Sequence, residues 1–263
     1  MGPLRFISSI LRILAGRPQV PPSLKDNQLL NVIMRRRSVR RFADCEIPDD
    51  VFAAILEAGR LAPSTVNLQT WTFATFKAET WRNAFNRPIP FKGKRAVIVM
   101  GDTHRGGIVL DVFPYSPLVE YTIAVMNASL AAMNMNLAAE ALGVSSVMLS
   151  ETGRSGFLDA EYLKQTLQLP DGVIPLMTIV FGYPRGAYPP MPPKLPLQQI
   201  CFEDKYREAE RTVMESWLSQ MVAGYKASYP LSSFDAQLQL YKSKISQAEA
   251  NLKNMIFYDG EAP

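Results

Sequence analysis

The run from Leu118 to Leu142 constrains the fold more than any other feature of the chain. It is the longest apolar stretch, yet Glu120, Asn127, Asn134, Asn136 and Glu140 interrupt it. A membrane span of that length carries few such groups, so the run predicts a buried helix around which a domain assembles. Its alanines, asparagines and methionines and its one serine predict close packing on several sides, and Gly143 is placed to end it. A chain of 263 residues is long enough to enclose such a helix in one large core.

Around this helix the pattern alternates irregularly. Leu29 to Arg35 reads as a short helix. Pro48-Asp49-Asp50 opens another, with Val51, Phe52, Ile55, Leu56 and Leu61 as its apolar face and Pro63 as its stop. Residues 64–70 form a loop. Trp71–Phe76, Arg95–Met100, Val144–Leu149 and Pro175–Phe181 read as strands, and Ser155–Leu167 as a helix. A Pro-rich extended stretch covers 184–197, and two helices follow, near 204–228 and 232–254. In the last, Phe234, Leu238, Tyr241, Ile245, Ala248, Leu252 and Met255 fall four and three apart, a heptad seam that asks for a helical partner. Strands and helices in no βαβ rhythm predict an α+β fold with helices covering a central sheet.

The N-terminal segment Pro3–Leu14 places Phe6, Ile7, Ile10, Leu11 and Leu14 at helical spacing, broken by Arg5 and Arg12. This is not the uninterrupted apolar core of a secretory signal. An amphipathic surface helix is expected, packed on its own domain or on a subunit partner in preference to a membrane. With no export signal, a cytoplasmic protein with reduced thiols is expected. Two cysteines, Cys45 and Cys201, and one histidine, His104, leave too few ligands for a zinc cluster or a Ser-His-Asp triad, so no metal is expected.

Three constellations carry chemistry. Five of the seven residues from Arg35 to Arg41 are arginine, and Arg36, Arg37, Ser38 and Arg40 together offer guanidinium forks and a hydroxyl that suit a phosphate. The same cluster on its own is equally a solvated basic turn or a nucleic-acid contact. The loop Ala62–Trp71 holds Ser64, Asn67 and Gln69, whose carboxamides each donate and accept, as reading the edge of a heterocycle requires. Gly143–Gly153 is a strand entering a small polar loop that contains Ser150 and Glu151.

In this order the three constellations resemble the FMN-dependent nitroreductase family. Arg36-Arg37-Ser38-Val39-Arg40-Arg41-Phe42 matches its Arg-Arg-Ser-x-Arg-x-Phe opening. Ala62 to Trp71 matches an Ala-Pro-Ser-x-x-Asn-x-Gln-Pro-Trp loop, with Thr70 in place of proline. Gly143–Ser146, Gly182-Tyr183-Pro184 and Lys194–Leu197 match the later landmarks. The resemblance covers residues 28–202. It leaves 1–27 as an N-terminal helix with a Pro-rich linker and 203–263 as a C-terminal helical extension.

The resemblance implies a mostly antiparallel sheet covered by helices, in an interlocked homodimer with an FMN at each interface. Arg36, Arg37 and Ser38 are then expected to hold the phosphate and ribityl chain, and Lys194 to complete that site. Arg40 is expected near the flavin N1/O2 edge, where reduction builds negative charge. Asn67 is expected on the pyrimidine edge, with Ser64 and Gln69 lining the pocket. The implied activity is a ping-pong cycle in which NADH or NADPH gives hydride to flavin N5 and a nitroaromatic, quinone or activated alkene takes the electrons. Ser150-Glu151 stands where the family often has Glu-Gly near N5. A hydroxyl there also occurs in flavin dehalogenases, so dehalogenation or dehydrogenation on the same scaffold is the alternative, and a flavin-binding protein without turnover a more distant one. Phe113, Tyr115 and Tyr121 are candidate platforms for a planar acceptor, with core packing the plainer reading. Neither nucleic acid nor membrane is an expected partner.

Overall fold

In a computed structural model, which describes residues 2–15, 20–110, 115–150 and 159–257, the strands gather into one antiparallel sheet. Its strands are β1 (Trp71–Lys77), β2 (Arg95–Asp102), β3 (Ser145–Leu149) and β4 (Val173–Gly182), in the order β1-β2-β4-β3. β2 and β4 are central and apolar on both faces, as strands covered on both sides must be. Phe113, Glu151 and the helix start expected at Ser155 lie outside the described residues.

The pleat sends alternate side chains into two cores. Val97, Val99, Ile179 and Phe181 meet α3 (Asp49–Arg60) and α6 (Pro117–Ala141) on one face. Ala96, Ile98, Met100, Val147 and Val180 meet Trp81 and Phe85 of α4 (Ala78–Phe85) and Leu163 of α7 (Ala160–Leu167) on the other. Sequence reading missed α4, a short helix whose Trp81 and Phe85 are fully buried.

α6 is the buried helix expected, spanning 25 residues. Small residues bring it close to its neighbours: a Cβ on Gly59 would stand 2.7 Å from Met135, and one on Gly101 2.8 Å from Ala124. Gly143 ends it in the left-handed region, where Val144 N–H reaches back to Ala139 O. Leu61, expected on the buried face of α3, is 64% exposed, because it caps that helix and turns away from the core.

The described residues fall into two compact units. The one just described takes residues 27–188 and 242–257. The other, from 2–26 and 189–241, contains α1 (Pro3–Ala15), α8 (Arg211–Ser228) and the start of α9 (Phe234–Ile256). α8 begins at Arg211, later than the sequence suggested, after the charged segment from Glu203 to Glu210. α9 corrects the expected seam. Its second half does not wait for a partner helix, because Leu252 and Met255 pack on the sheet–α6 core of the same chain and Ala248 is buried. α5 (His104–Gly107) is a single turn after β2.

Candidate functional site

The arginine segment leaves α2 (Gln28–Arg35) and attaches to the free edge of the sheet at β3. Ser38 bridges Ser146, and Val39 N–H donates to Ser146 O at 3.0 Å. Val39 and Phe42 are buried in the α4/α7 core, which leaves Ser38 and Arg40 facing outward and Arg36 and Arg37 half-buried. Phe42 also explains Gly182. A Cβ there would stand 2.7 Å from the phenyl ring, so only glycine lets the segment lie on the end of β4. Phe42–Pro184, Ala43 N–H to Tyr183 O and Arg185 N–H to Arg41 O complete the attachment. Two motifs far apart in sequence thus form one piece of structure.

The arginines do not all behave alike. Arg37 turns its guanidinium back, donating to Met34 O at 2.7 Å and Arg36 O at 2.8 Å, and so caps the end of α2. Arg40 lies 5.9 Å from the ring centroid of Phe91. Phe91 and Lys92 both take φ of 57°, rare for non-glycine residues and costly for bulky ones.

Beneath the cluster lies a polar network that the sequence did not announce. Ser146 Oγ donates to Asn136 Oδ1 at 2.5 Å. Ser145 Oγ and Tyr188 OH share a hydrogen at 2.8 Å, and Tyr188 OH donates to Glu140 at 3.3 Å. Burial pushes the Glu140 carboxyl above its ordinary range, with Tyr188 and Arg35, Arg36 and Arg37 pulling partly back. The native state therefore holds the Glu140 proton more tightly than the unfolded chain does, and this group's contribution to stability falls as pH rises through that window. Glu140→Gln is expected to unfold at a higher temperature than the parent above the window and at the same temperature below it. Thermal unfolding of both proteins across pH reads this directly.

The loop 64–70 is held from α6. Asn127, buried inside the apolar run, accepts from Thr65 N–H at 3.1 Å and donates to Thr70 Oγ1 at 2.8 Å. Ser64 Oγ accepts from Gln69 N–H at 3.0 Å. Val66, Asn67 and Gln69 all sit in the left-handed region, with φ of 49°, 58° and 49°. For a β-branched residue that is a true outlier, and strain of this kind persists where surrounding structure imposes it, often at functional sites. The result is a rigid loop that leaves Asn67 and Gln69 exposed. The sequence did signal Asn127, as a carboxamide inside an apolar helix, but gave no partner for it. Asn127→Ala strands the Thr65 amide and the Thr70 hydroxyl and is expected to cost about 1–3 kcal/mol. It should also open the loop to proteolysis, which thermal unfolding and limited digestion together would reveal.

The two groups stand at opposite corners of the sheet. Ser146 aligns with Phe181, Arg95 and Lys77, whereas Trp71, just after the loop, aligns with Gly101 and Ile174. β1 and β3 are the two edges, so the corners lie about 20 Å apart along the strands and about 14 Å across them. The other candidates are placed separately. Ser150 is half-buried just beyond the end of β3, away from Ser145 and Ser146. Lys194 is exposed in the extended segment of the other unit. Tyr121 packs on the core, while Tyr115 is exposed. One face of α6, with Val119, Met126, Leu130 and Met133, remains open to solvent despite its apolar character.

Comparison with known proteins identifies the family and matches the fold. Residues 33–183 match the nitroreductase family. An NADPH-flavin oxidoreductase of Vibrio harveyi is 25% identical over 76% of this chain and 83% of its own. An FMN reductase (NADPH) of Bacillus subtilis is 26% identical over 68% and 75%. Among solved structures, the NfrA1 nitroreductase from B. subtilis superposes with a TM-score of 0.71 over 88% of this chain and all of its own, at 18% identity.

Proposed function

Because the chain belongs to the nitroreductase family, we propose that it is an FMN-dependent NAD(P)H oxidoreductase whose flavin is shared between two copies of the chain. The observation that carries the shared site is the placement of its two halves at opposite corners of the sheet. That separation exceeds the reach from an FMN phosphate to its pyrimidine edge. An arginine cluster from one copy and a 64–70 loop from another meet the requirement. The open apolar face of α6 supports the same reading, since a second copy covers Met126, Leu130 and Met133.

The donor set fits FMN. Half-exposed guanidinium groups and the Ser38 hydroxyl, held on the sheet edge, suit a dianionic phosphate and a polyhydroxyl chain. The rigid, outward-facing carboxamides of Asn67 and Gln69, with Ser64, suit the alternating donors and acceptors of a pyrimidine edge. When bound, FMN supplies a two-electron centre that takes hydride from NADH or NADPH in one half-reaction and passes electrons to a small acceptor in the next. Arg36, Arg37 and Ser38 anchor. Arg40 sets positive potential at the ring edge, steadied by Phe91. Ser150 is the residue we assign to the border of the reacting face. The acceptor class that suits this chemistry is an electrophile: a nitroaromatic, a quinone or an activated alkene.

The test is the visible spectrum of the purified protein before and after anaerobic NADH or NADPH. Flavin bands that bleach are the expected result. A protein that takes up no flavin on reconstitution with FMN overturns the site.

A further inference from the structure

α1 has two apolar faces, and only one of them is covered. Ser9 is buried, Ile13 lies 3.6 Å from the Cβ position of Gly224, and Arg12 donates to Ser216 Oγ at 2.8 Å, so this side packs on α8, where Ala223 is buried. The other side consists of Leu4, Ile7, Leu11 and Leu14, exposed by 83%, 54%, 60% and 46%. Their spacing of three, four and three puts them in one stripe along the helix. At the helical period Arg5 and Arg12 fall side by side on one flank of it. An ordinary surface helix packs its apolar face and exposes its polar one. Here intramolecular packing has left out four large aliphatic side chains.

The charge distribution says what covers them. The chain carries a net charge of +4. Arg5, Arg12, Arg17 and Lys25, with no acidic residue before Asp26, account for all of it, so the remainder of the chain is balanced. An aliphatic stripe flanked by arginine, in a segment whose first 25 residues carry four basic and no acidic side chains, suits a surface that is apolar below and anionic above. A second copy of α1 would bring like charges together. We propose that the exposed face of α1 docks the protein on an anionic lipid surface, with the stripe at the acyl boundary and Arg5 reaching the headgroups. No described helix is long and apolar enough to cross a membrane, so this is attachment in the plane of the interface.

The test is co-sedimentation of the full chain with phosphatidylcholine vesicles, with and without phosphatidylglycerol. Binding to the anionic vesicles alone, reduced by salt, is expected. Ile7→Glu with Leu11→Glu should weaken it about tenfold or more, while flavin content and turnover stay unchanged because neither residue belongs to the flavin site. Failure to bind either vesicle overturns the proposal, as does binding indifferent to lipid charge. A change in oligomeric mass in the double variant overturns it in favour of a second copy on the stripe.

Discussion

Replacing Leu130 with arginine is expected to give a monomer that no longer retains FMN. Leu130 sits on the open face of α6, 45% exposed, between Met126 and Met133. If a second copy covers this face, a two-fold interface receives the substitution twice. Each new guanidinium is then stripped of water opposite an apolar surface, at about 3–5 kcal/mol for an unpaired buried charge. That is enough to dissociate an ordinary dimer at micromolar concentration. Because the arginine cluster and the loop stand at opposite corners of one sheet, the monomer keeps each half-site and completes neither. Size-exclusion chromatography with absorbance at the flavin band reads both effects together. A colourless monomer whose thermal unfolding stays cooperative is the expected outcome. A monomer that keeps its flavin removes the second copy from the site.

Arg36→Ala is expected to weaken FMN binding about 10- to 150-fold while leaving riboflavin binding unchanged. The figure follows from about 1.5–3 kcal/mol for a hydrogen bond to a charged group. Riboflavin lacks the phosphate, so it reports on the ring and chain contacts alone. Arg36 is the better probe than Arg37, whose guanidinium also caps α2 through Met34 O and Arg36 O, so that its loss disturbs the helix end. Fluorescence titration of the apoprotein with each flavin separates the two contributions. Equal weakening of both ligands would mean that Arg36 supports the segment without meeting phosphate.

Much of this was legible in the sequence because periodicity and motif agree with tertiary structure where segments are long and apolar. The α6 helix and the four strands are of that kind. What stayed hidden depends on contacts between distant residues. Asn127 interrupts an apolar helix and so announces a polar task, but only the fold shows that its partners are Thr65 and Thr70. Glu140, Tyr188 and Ser145 lie apart in the chain and meet only because β3 and the turn after β4 converge on the end of α6. Phe91 gave no signal, since its strained backbone follows from closing a turn in which Gly93 lies hard against Val180. The α9 seam was misread because a heptad pattern specifies a packed stripe and not what packs on it. The separation of the two half-sites was likewise invisible, because strand order and register belong to the assembled sheet.

The shared flavin is tested most directly by pairing two defective chains. Arg36→Ala disables the phosphate half, and Asn67→Gly removes the carboxamide while suiting the left-handed backbone that Asn67 occupies at φ 58°. The two variants are co-expressed with different affinity tags, and the mixed dimer is isolated by sequential capture. If each site draws its arginines from one chain and its loop from the other, one site in the mixed dimer carries both changes and its companion carries none. The account predicts one tightly bound FMN per mixed dimer, bleached by NADH or NADPH, and weak binding in either variant alone. A mixed dimer that binds no better than its parents would mean that both halves come from the same chain, and would contradict the account.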